Sequence, residues 1–145
     1  MGRKKLIREA SCCGLYVVLW LLKSGRTLSY EAHSRHSPAP EAYFTDSVWM
    51  QPQASGVVRV TFAPGARTAW HTHPQGQTLL ILSGTGLVQK RGEAALTFSA
   101  GDVVSIGAGE EHWHGAAPGS LMTHFALQAG ETVWLAKVTD EEYGA

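Results

Sequence analysis

From Tyr43 onward, apolar and polar residues alternate in runs of a few residues, and glycine or proline interrupts the pattern at short intervals. The runs with this character are GVVRVTF, QTLLILSG, GLVQKRG, ALTF, GDVVSIG, HWHG and LMTHFALQ. Each is typical of a short β-strand, and no long stretch repeats with the 3.6-residue period of a helix. The pattern therefore predicts an all-β fold, an antiparallel sandwich or barrel with alternate side chains facing an interior.

Length and composition limit the rest of the chain. A sequence of 145 residues, 44% of them hydrophobic, suits one domain with one modest core. Twelve basic residues balance twelve acidic ones, so no basic surface is expected and nucleic acid is excluded as a partner. The only cysteines, Cys12 and Cys13, are adjacent and cannot build a disulfide framework or a cysteine metal site, which favours a reducing compartment.

The first 36 residues differ in composition from the remainder. Basic residues precede the apolar run SCCGLYVVLWLL, as in a secretory signal, but no small-residue cleavage site follows promptly. The run is also shorter than the roughly 20 residues that span a bilayer. Three interpretations stay open: a weak signal or anchor, a short helix packed on the domain, or an extension upstream of the true start codon. We favour the third.

The polar, proline-bearing segment TLSYEAHSRHSPAP that follows is predicted to be a linker with exposed His33 and His36. We therefore expect an N-terminal extension or linker over residues 1–36 and a single domain over residues 37–145. We also expect a cytoplasmic protein without a membrane partner. Export is the alternative if residues 1–32 act as a signal.

Two histidine pairs suggest a metal site. His71 and His73 lie two residues apart, as do His112 and His114, so each pair points to one face of its strand. A single such pair is more often a hydrogen-bonded pair on a surface strand, whereas two pairs favour a shared interior. Gln77 shares strand parity with apolar neighbours, and polar groups in such a pocket are costly unless something coordinates them. Alternation also predicts an apolar wall of Val58, Val60 and Phe62, joined by Trp70 or Trp113 if these face inward.

These motifs resemble those of a known family. The segment GARTAWHTHPQGQTLLILSG resembles the first cupin motif, and GDVVSIGAGEEHWHG resembles the second, although Gly107 stands where that motif usually has proline. The match covers residues 65–115 and does not extend over residues 1 to about 36. The runs WHTHPQGQTL, HWHGAAP and VTDEEY are further similar to small single-domain bacterial cupins that include manganese-dependent hydroxynitrile lyases.

The resemblance implies a cupin double-stranded β-helix, an antiparallel jelly-roll barrel. It also implies one divalent metal ion per chain, manganese first with iron or zinc as alternatives, held by His71, His73, Gln77 and His112. Catalytic roles are expected for His124 and Thr68, and positions in the pocket or around the ligands for His114, Val58, Val60 and Gln128. The expected partners are a small-molecule substrate and further copies of the chain, in a homodimer or homotetramer.

The neutral Gln77 bears on the chemistry. Neutral imidazoles and an amide leave the charge of a divalent ion uncompensated, which favours Lewis-acid chemistry over oxygen activation. We therefore expect a metal-dependent lyase acting on a small hydroxy or carbonyl compound, similar to a hydroxynitrile lyase that cleaves or makes cyanohydrins. The alternatives are a cupin dioxygenase and a non-catalytic cupin that binds a small molecule.

Overall fold

The computed structural model describes residues 36–144 and the backbone of two strands near the N-terminus. The chain divides into two compact units, Met1–Ser34 and Arg35–Ala145. In the first unit, strand β1 (Val17–Leu21) pairs antiparallel with strand β2 (Thr27–Glu31). The cysteines and His33 lie outside the described residues.

The second unit is almost entirely β-structure. Its strands are β3 (Ser37–Pro38), β4 (Phe44–Thr45), β5 (Val48–Ala54), β6 (Val57–Phe62), β7 (Arg67–Thr68), β8 (His71–Thr72), β9 (Gln77–Ser83), β10 (Thr85–Lys90), β11 (Leu96–Ser99), β12 (Val103–Ile106), β13 (His112–Ala116), β14 (Met122–Gln128) and β15 (Val133–Trp134). One short helix, α1 (Asp140–Tyr143), follows. All seven runs that alternation predicted as strands are strands, which confirms the all-β fold class.

Two antiparallel sheets form this unit. One sheet has the order β12-β9-β14-β6-β5-β3, and the other has the order β11-β10-β13-β7-β4 with β8 and β15 attached through β13. Side chains from both sheets meet in one hydrophobic core, including Phe62 and Leu79 from the first sheet and Phe44 and Phe98 from the second. Burying apolar side chains between two sheets is the main source of stability in such a fold.

Strand pairing brings the predicted site residues together. On β9, Gln77, Leu79 and Ile81 are buried and alternate with more exposed residues, as predicted from their shared parity. Strand β13 pairs with β8 so that His112 faces His71 across the ladder. Strand β14 pairs with β9 on one side and with β6 on the other, which places Gln128 opposite Gln77 and His124 opposite Val60.

A glycine turn sets the start of β9. Gly76 has a φ of +79°, and a Cβ there would lie 2.6 Å from the carbonyl oxygen of Ile106. Glycine adopts this left-handed conformation without steric cost and permits the close approach of β12. Gln77 therefore enters the interior directly from a fixed turn.

Part of the segment TLSYEAHSRHSPAP that precedes the domain is extended: residues 27–31 form β2 and residues 37–38 form β3. The role of this segment as a linker stays a prediction. The backbone at 17–21 is likewise a strand where one interpretation placed a helix. Within the part of the chain that the structure describes, no helix is long and apolar enough to cross a membrane.

Candidate metal centre

Three histidines converge between the two sheets. His71 and His73 come from β8 and the residue after it, and His112 begins β13. One ring nitrogen of each lies within 4.8 Å of those of the other two. All three side chains are buried, with relative exposures of 0–1%. Three imidazole nitrogens at this separation could share one metal ion.

Each of these histidines is oriented by an oxygen at its Nδ1 atom. The Nδ1 of His71 lies 2.9 Å from the carbonyl oxygen of Ala69, and that of His112 lies 2.9 Å from the carbonyl oxygen of Glu110. The Nδ1 of His73 lies 3.3 Å from Thr132 Oγ1. Because a carbonyl oxygen can only accept, Nδ1 carries the proton in His71 and His112. The Nε2 lone pairs of His71 and His112 are therefore available to a metal, as is usual for ligating histidines.

The Gln77 side chain reaches the same space. Its Oε1 lies 3.1 Å from His112 Nε2, and its Nε2 donates a short hydrogen bond to Gln128 Oε1. The amide oxygen thus faces the histidines and the amide nitrogen faces away. Sequence reasoning placed Gln77 with the histidines, and the structure brings the four side chains together.

The donor set fits a cation. Burial lowers the pKa of His112 and lowers the pKa of His73 to about 4, so both rings are neutral at neutral pH. Neutral His112, protonated at Nδ1, presents a lone pair to the oxygen of Gln77, which also carries lone pairs. The buried Nε2 of His73 has no hydrogen-bond partner among residues 36–144. Unpartnered acceptors that converge in a buried space are costly, and a divalent ion would satisfy them.

A small cavity of about 50 Å³ adjoins these ligands. Its wall contains the predicted Val58, Val60, Phe62 and Gln128. Trp70 and Trp113, which were possible wall residues, instead pack with Val138 and Tyr143 in a separate hydrophobic cluster. The reason is strand alternation: each tryptophan is adjacent to an inward-facing histidine and therefore faces the opposite side.

Thr68 and His114 lie together beside this cavity. The backbone N–H of His114 donates to Thr68 Oγ1 at 3.1 Å, which leaves the Thr68 hydroxyl proton free for another acceptor. The His114 ring centroid lies 5.3 Å from that of His71 and 5.0 Å from that of His124. His114 therefore stands between the three-histidine cluster and His124. Burial holds its pKa well below the usual value for histidine.

His124 projects from β14 into the same cavity and is fully buried. Neither of its ring nitrogens makes a hydrogen bond of ordinary geometry with residues 36–144. Burial lowers the pKa of His124 from 6.5 to about 4, against the opposing effect of the Phe125 backbone. The side chain is therefore a neutral imidazole at neutral pH, with a lone pair that can accept a proton.

Five cavity residues were missed by sequence reasoning: Phe44, Met50, Ala126, Thr132 and Trp134. Thr132 and Trp134 share parity in the run ETVW, but the strand that carries Trp134 is only two residues long. The stretch around Met50 also alternates, although it contains a proline that weakens a strand prediction. Parity was thus a usable signal at both places, and short length or proline obscured it.

Comparison with known proteins agrees with this geometry. The chain is 56% identical over 88 residues to the (R)-mandelonitrile lyase of Granulicella tundricola, a match covering 58% of this chain and 67% of that protein. It is also similar to a cupin-like protein from Thermotoga maritima of known crystal structure, with 39% identity and a TM-score of 0.73. That match covers 76% of this chain and 92% of the other.

A more distant likeness concerns the fold alone. A predicted oxalate decarboxylase from Thermotoga maritima, of known crystal structure, is similar with 20% sequence identity and a TM-score of 0.58. The match covers 69% of this chain and 92% of that one. The family model for the cupin domain Cupin_2 matches residues 58–134, the segment that contains every candidate ligand. The barrel, the two motifs and this match together show that the chain belongs to the Cupin_2 family.

Proposed function

We propose that this protein is a metal-dependent lyase that breaks or makes a carbon–carbon bond in a small hydroxy or carbonyl compound, with cyanohydrins as the expected class. The sequence identity of 56% over 88 residues to a protein named (R)-mandelonitrile lyase supports this assignment. The apolar side chains of Val58, Val60 and Phe62 in the wall of the cavity beside the candidate ligands favour a small, mostly apolar substrate.

The ligands in this proposal are His71, His73, Gln77 and His112. Manganese is the first candidate metal, with iron or zinc as alternatives, because imidazole and amide donors accept all three. When bound, such an ion supplies Lewis-acid chemistry for a substrate hydroxyl or carbonyl oxygen. The neutral ligand set leaves the charge of the ion available for this task.

The proton-transfer step of the reaction is assigned to His124. In cleavage of a cyanohydrin, an imidazole nitrogen of His124 takes the hydroxyl proton, and the oxygen's electron pair forms the carbonyl. The bond to the nitrile carbon breaks, and its electron pair leaves with cyanide. The protonated His124 then returns its proton to cyanide, so the residue ends in its starting state. Synthesis is the reverse sequence.

Thr68 is assigned an orienting role. Its hydroxyl oxygen accepts from the backbone N–H of His114, so the oxygen is fixed while its proton remains available to donate. A substrate oxygen in the cavity could accept that hydrogen bond. Such a contact would hold the hydroxyl toward His124 and contribute through orientation, not through proton transfer.

The observation that carries the proposal is the state of His124. It is fully buried, it lines the same cavity as His71 and His73, and both ring nitrogens lack a partner among the described residues. A buried imidazole without hydrogen bonds costs free energy, so a ligand that binds it offsets that cost. Unpartnered polar groups in a cavity are typical of functional sites.

The test is the variant His124→Ala in the manganese-loaded protein. We expect full metal content, while cleavage of small cyanohydrins and of mandelonitrile falls by roughly 10² to 10⁴-fold, the usual contribution of a general base. Phe125→Leu changes the opposite face of the same strand and serves as the matched control, with activity expected near that of the parent. Normal turnover by His124→Ala would assign the base elsewhere, with His114 the next candidate.

The pH dependence provides a second readout of the same assignment. Because burial lowers the pKa of His124 to about 4, the parent's rate should rise with pH near that value and not near 6.5. In His124→Ala this acidic limb should be absent.

Oxygen consumption with candidate substrates would instead support a cupin dioxygenase, and ligand binding without turnover would support a non-catalytic cupin. Oligomeric state and compartment stay predictions.

A further inference from the structure

One short segment contacts three of the four candidate ligands. We call residues 128–134 the strap: it begins at the last residue of β14, turns at Gly130 and ends in β15. Gln128 accepts the hydrogen bond from Gln77, and Thr132 Oγ1 lies 3.3 Å from His73 Nδ1. The ring of Trp134 lies 4.9 Å from that of His71.

Two residues of the strap are also bonded to each other. Gln128 Nε2 donates to Thr132 Oγ1 at 3.2 Å. The hydrogen bonds therefore run in a continuous series from the Gln77 amide through Gln128 and Thr132 to the His73 ring. We call this series the relay. It joins two candidate ligands without passing through the space that the ligands face.

The donor and acceptor groups of the side chains determine the direction of each hydrogen bond in the relay. Gln77 can turn its oxygen toward the histidines only if its nitrogen finds an acceptor on the other side, which Gln128 Oε1 provides. With Oε1 used in this way, Gln128 presents its nitrogen to Thr132, whose hydroxyl oxygen accepts. An amide turned the other way would aim N–H groups at the ligand space and would repel a cation.

Thr132 acts at the second end of the relay. A hydroxyl oxygen has two lone pairs, so Thr132 Oγ1 can accept from both Gln128 Nε2 and His73 Nδ1. Protonation of His73 at Nδ1 leaves its Nε2 as a lone pair directed to the ligand space, where it has no protein partner among the described residues. His71 and His112 obtain the same arrangement from backbone carbonyls, so His73 alone of the three depends on a side chain.

We propose that Gln128 and Thr132 are positioning residues for the metal centre: they hold Gln77 with its oxygen, and His73 with its Nε2, toward the ligand space. This inference rests on the metal-binding part of the proposed function. It assigns the strap a role in metal affinity, and it makes Thr132, a residue outside both histidine motifs, part of the site. Gly130 supports the strap, because a Cβ there would lie 2.8 Å from the Pro74 ring beside His73.

The test measures Mn²⁺ affinity of the full-length protein by titration with detection of free Mn²⁺ by electron paramagnetic resonance. Gln128→Leu and Thr132→Val should each weaken binding by about 10 to 100-fold, the usual effect of removing a partner of a ligand. Thr72→Val makes the same substitution between His71 and His73 on the outward side, where the Thr72 side chain makes no hydrogen bond with residues 36–144. Its affinity should match the parent.

A double-variant comparison separates positioning from a general effect on the fold. In a Gln77→Ala background, Gln128→Leu should weaken Mn²⁺ binding by no more than about twofold, because its main partner is already gone. Equal weakening in both backgrounds would overturn the proposal, as would unchanged affinity in both single variants. Circular dichroism and thermal unfolding of each variant check that the domain is folded.

The relay can also be tested without metal. In the metal-free parent, the side-chain amide protons of Gln77 should exchange slowly with water by NMR, and Gln128→Leu should make them exchange rapidly. Rapid exchange in the parent would overturn the relay. If the parent bound no Mn²⁺ at all, the proposed function would fail, and this exchange measurement would decide the relay by itself.

Discussion

The same strands carry two very different surfaces. The inward side around β8 and β13 presents His71, His73, His112 and His114, whereas the outward side presents Trp70 and Trp113. Neighbouring residues belong to opposite surfaces, since Trp113 lies between His112 and His114 in the sequence. Both surfaces are almost completely buried, so burial does not distinguish them. Their hydrogen bonding does.

On the outward side, the polar atoms are partnered. Trp113 Nε1 donates to Gln89 Oε1 at 2.7 Å, and Trp70 Nε1 donates to Glu142 Oε1 at 3.3 Å. The guanidinium of Arg91 lies 3.6 Å from the Trp70 ring centroid, in a cation–π contact. The helix α1 closes this cluster with Tyr143, whose hydroxyl donates to the carbonyl oxygen of Ala116.

On the inward side, buried nitrogens of His73, His114 and His124 have no partner among residues 36–144. Folded proteins rarely leave buried polar atoms in this state, because each costs about 1–3 kcal/mol. The comparison teaches that the outward cluster serves stability, while the inward one gives up stability to keep nitrogens available for ligands. Departures from full hydrogen bonding are expected at functional sites.

The largest expected effect is at the inward side. His73→Ala should abolish stoichiometric binding of a divalent metal, because it removes one of the converging nitrogens, yet it should leave a folded domain. Elemental analysis after dialysis measures the metal, and circular dichroism checks the fold. One metal ion per chain in this variant would remove His73 from the ligand set. Loss of the fold would show that the two surfaces are not separable.

The converse substitution is at the outward side. Trp113→Ala should lower the free energy of unfolding by about 3–5 kcal/mol, the usual cost of truncating a large buried aromatic residue. Metal affinity, measured at a temperature where the variant is folded, should stay close to that of the parent. Urea unfolding and Mn²⁺ titration give the two values. A loss of metal as complete as in His73→Ala would contradict the separation.

Acid should weaken the inward side selectively. The pKa of His124 is 6.5 when unfolded and about 4 when folded, so the unfolded state binds the additional proton between these values. Stability from its neutral form is therefore complete above pH 6.5 and decreases as the pH falls toward 4, by roughly 3 kcal/mol in total. On the outward side, burial raises the pKa of Tyr143, and a hydrogen bond from the Thr139 backbone lowers the pKa of Glu142 from 4.5, so this side loses stability only below about pH 4.5.

Urea unfolding of metal-free protein at pH 7, 5 and 4 measures this dependence. His124→Gln keeps a polar side chain of similar size without the titration, so its stability should fall less than that of the parent over the same range. Parallel pH dependence of the two proteins would mean that His124 is not responsible. The other buried histidines and, below about pH 4.5, the carboxyl groups of Glu110 and Glu142 contribute to the loss that remains in the variant.

Much of the fold and of the grouping of the candidate ligands was predictable from the sequence. The two-residue period of a strand is a local property, so it identified seven strands and the shared face of Gln77, Leu79 and Ile81 without knowledge of the fold. The two histidine pairs followed from the same period. The outward position of Trp70 and Trp113 was also implied, because a residue adjacent to an inward histidine must face outward.

Tertiary structure decided the contacts between distant parts of the chain. Gln77 and Gln128 are 51 residues apart, and His73 and Thr132 are 59 apart, so no local period links them. Their hydrogen bonds depend on the register between β9 and β14 and on the turn at Gly130, which packing of the whole domain sets. The sequence by itself thus determined which side chains face the interior. Only the tertiary structure determined which of these side chains are oriented by hydrogen bonds to other side chains. It also determined which buried histidine nitrogens have no hydrogen-bond partner among the described residues.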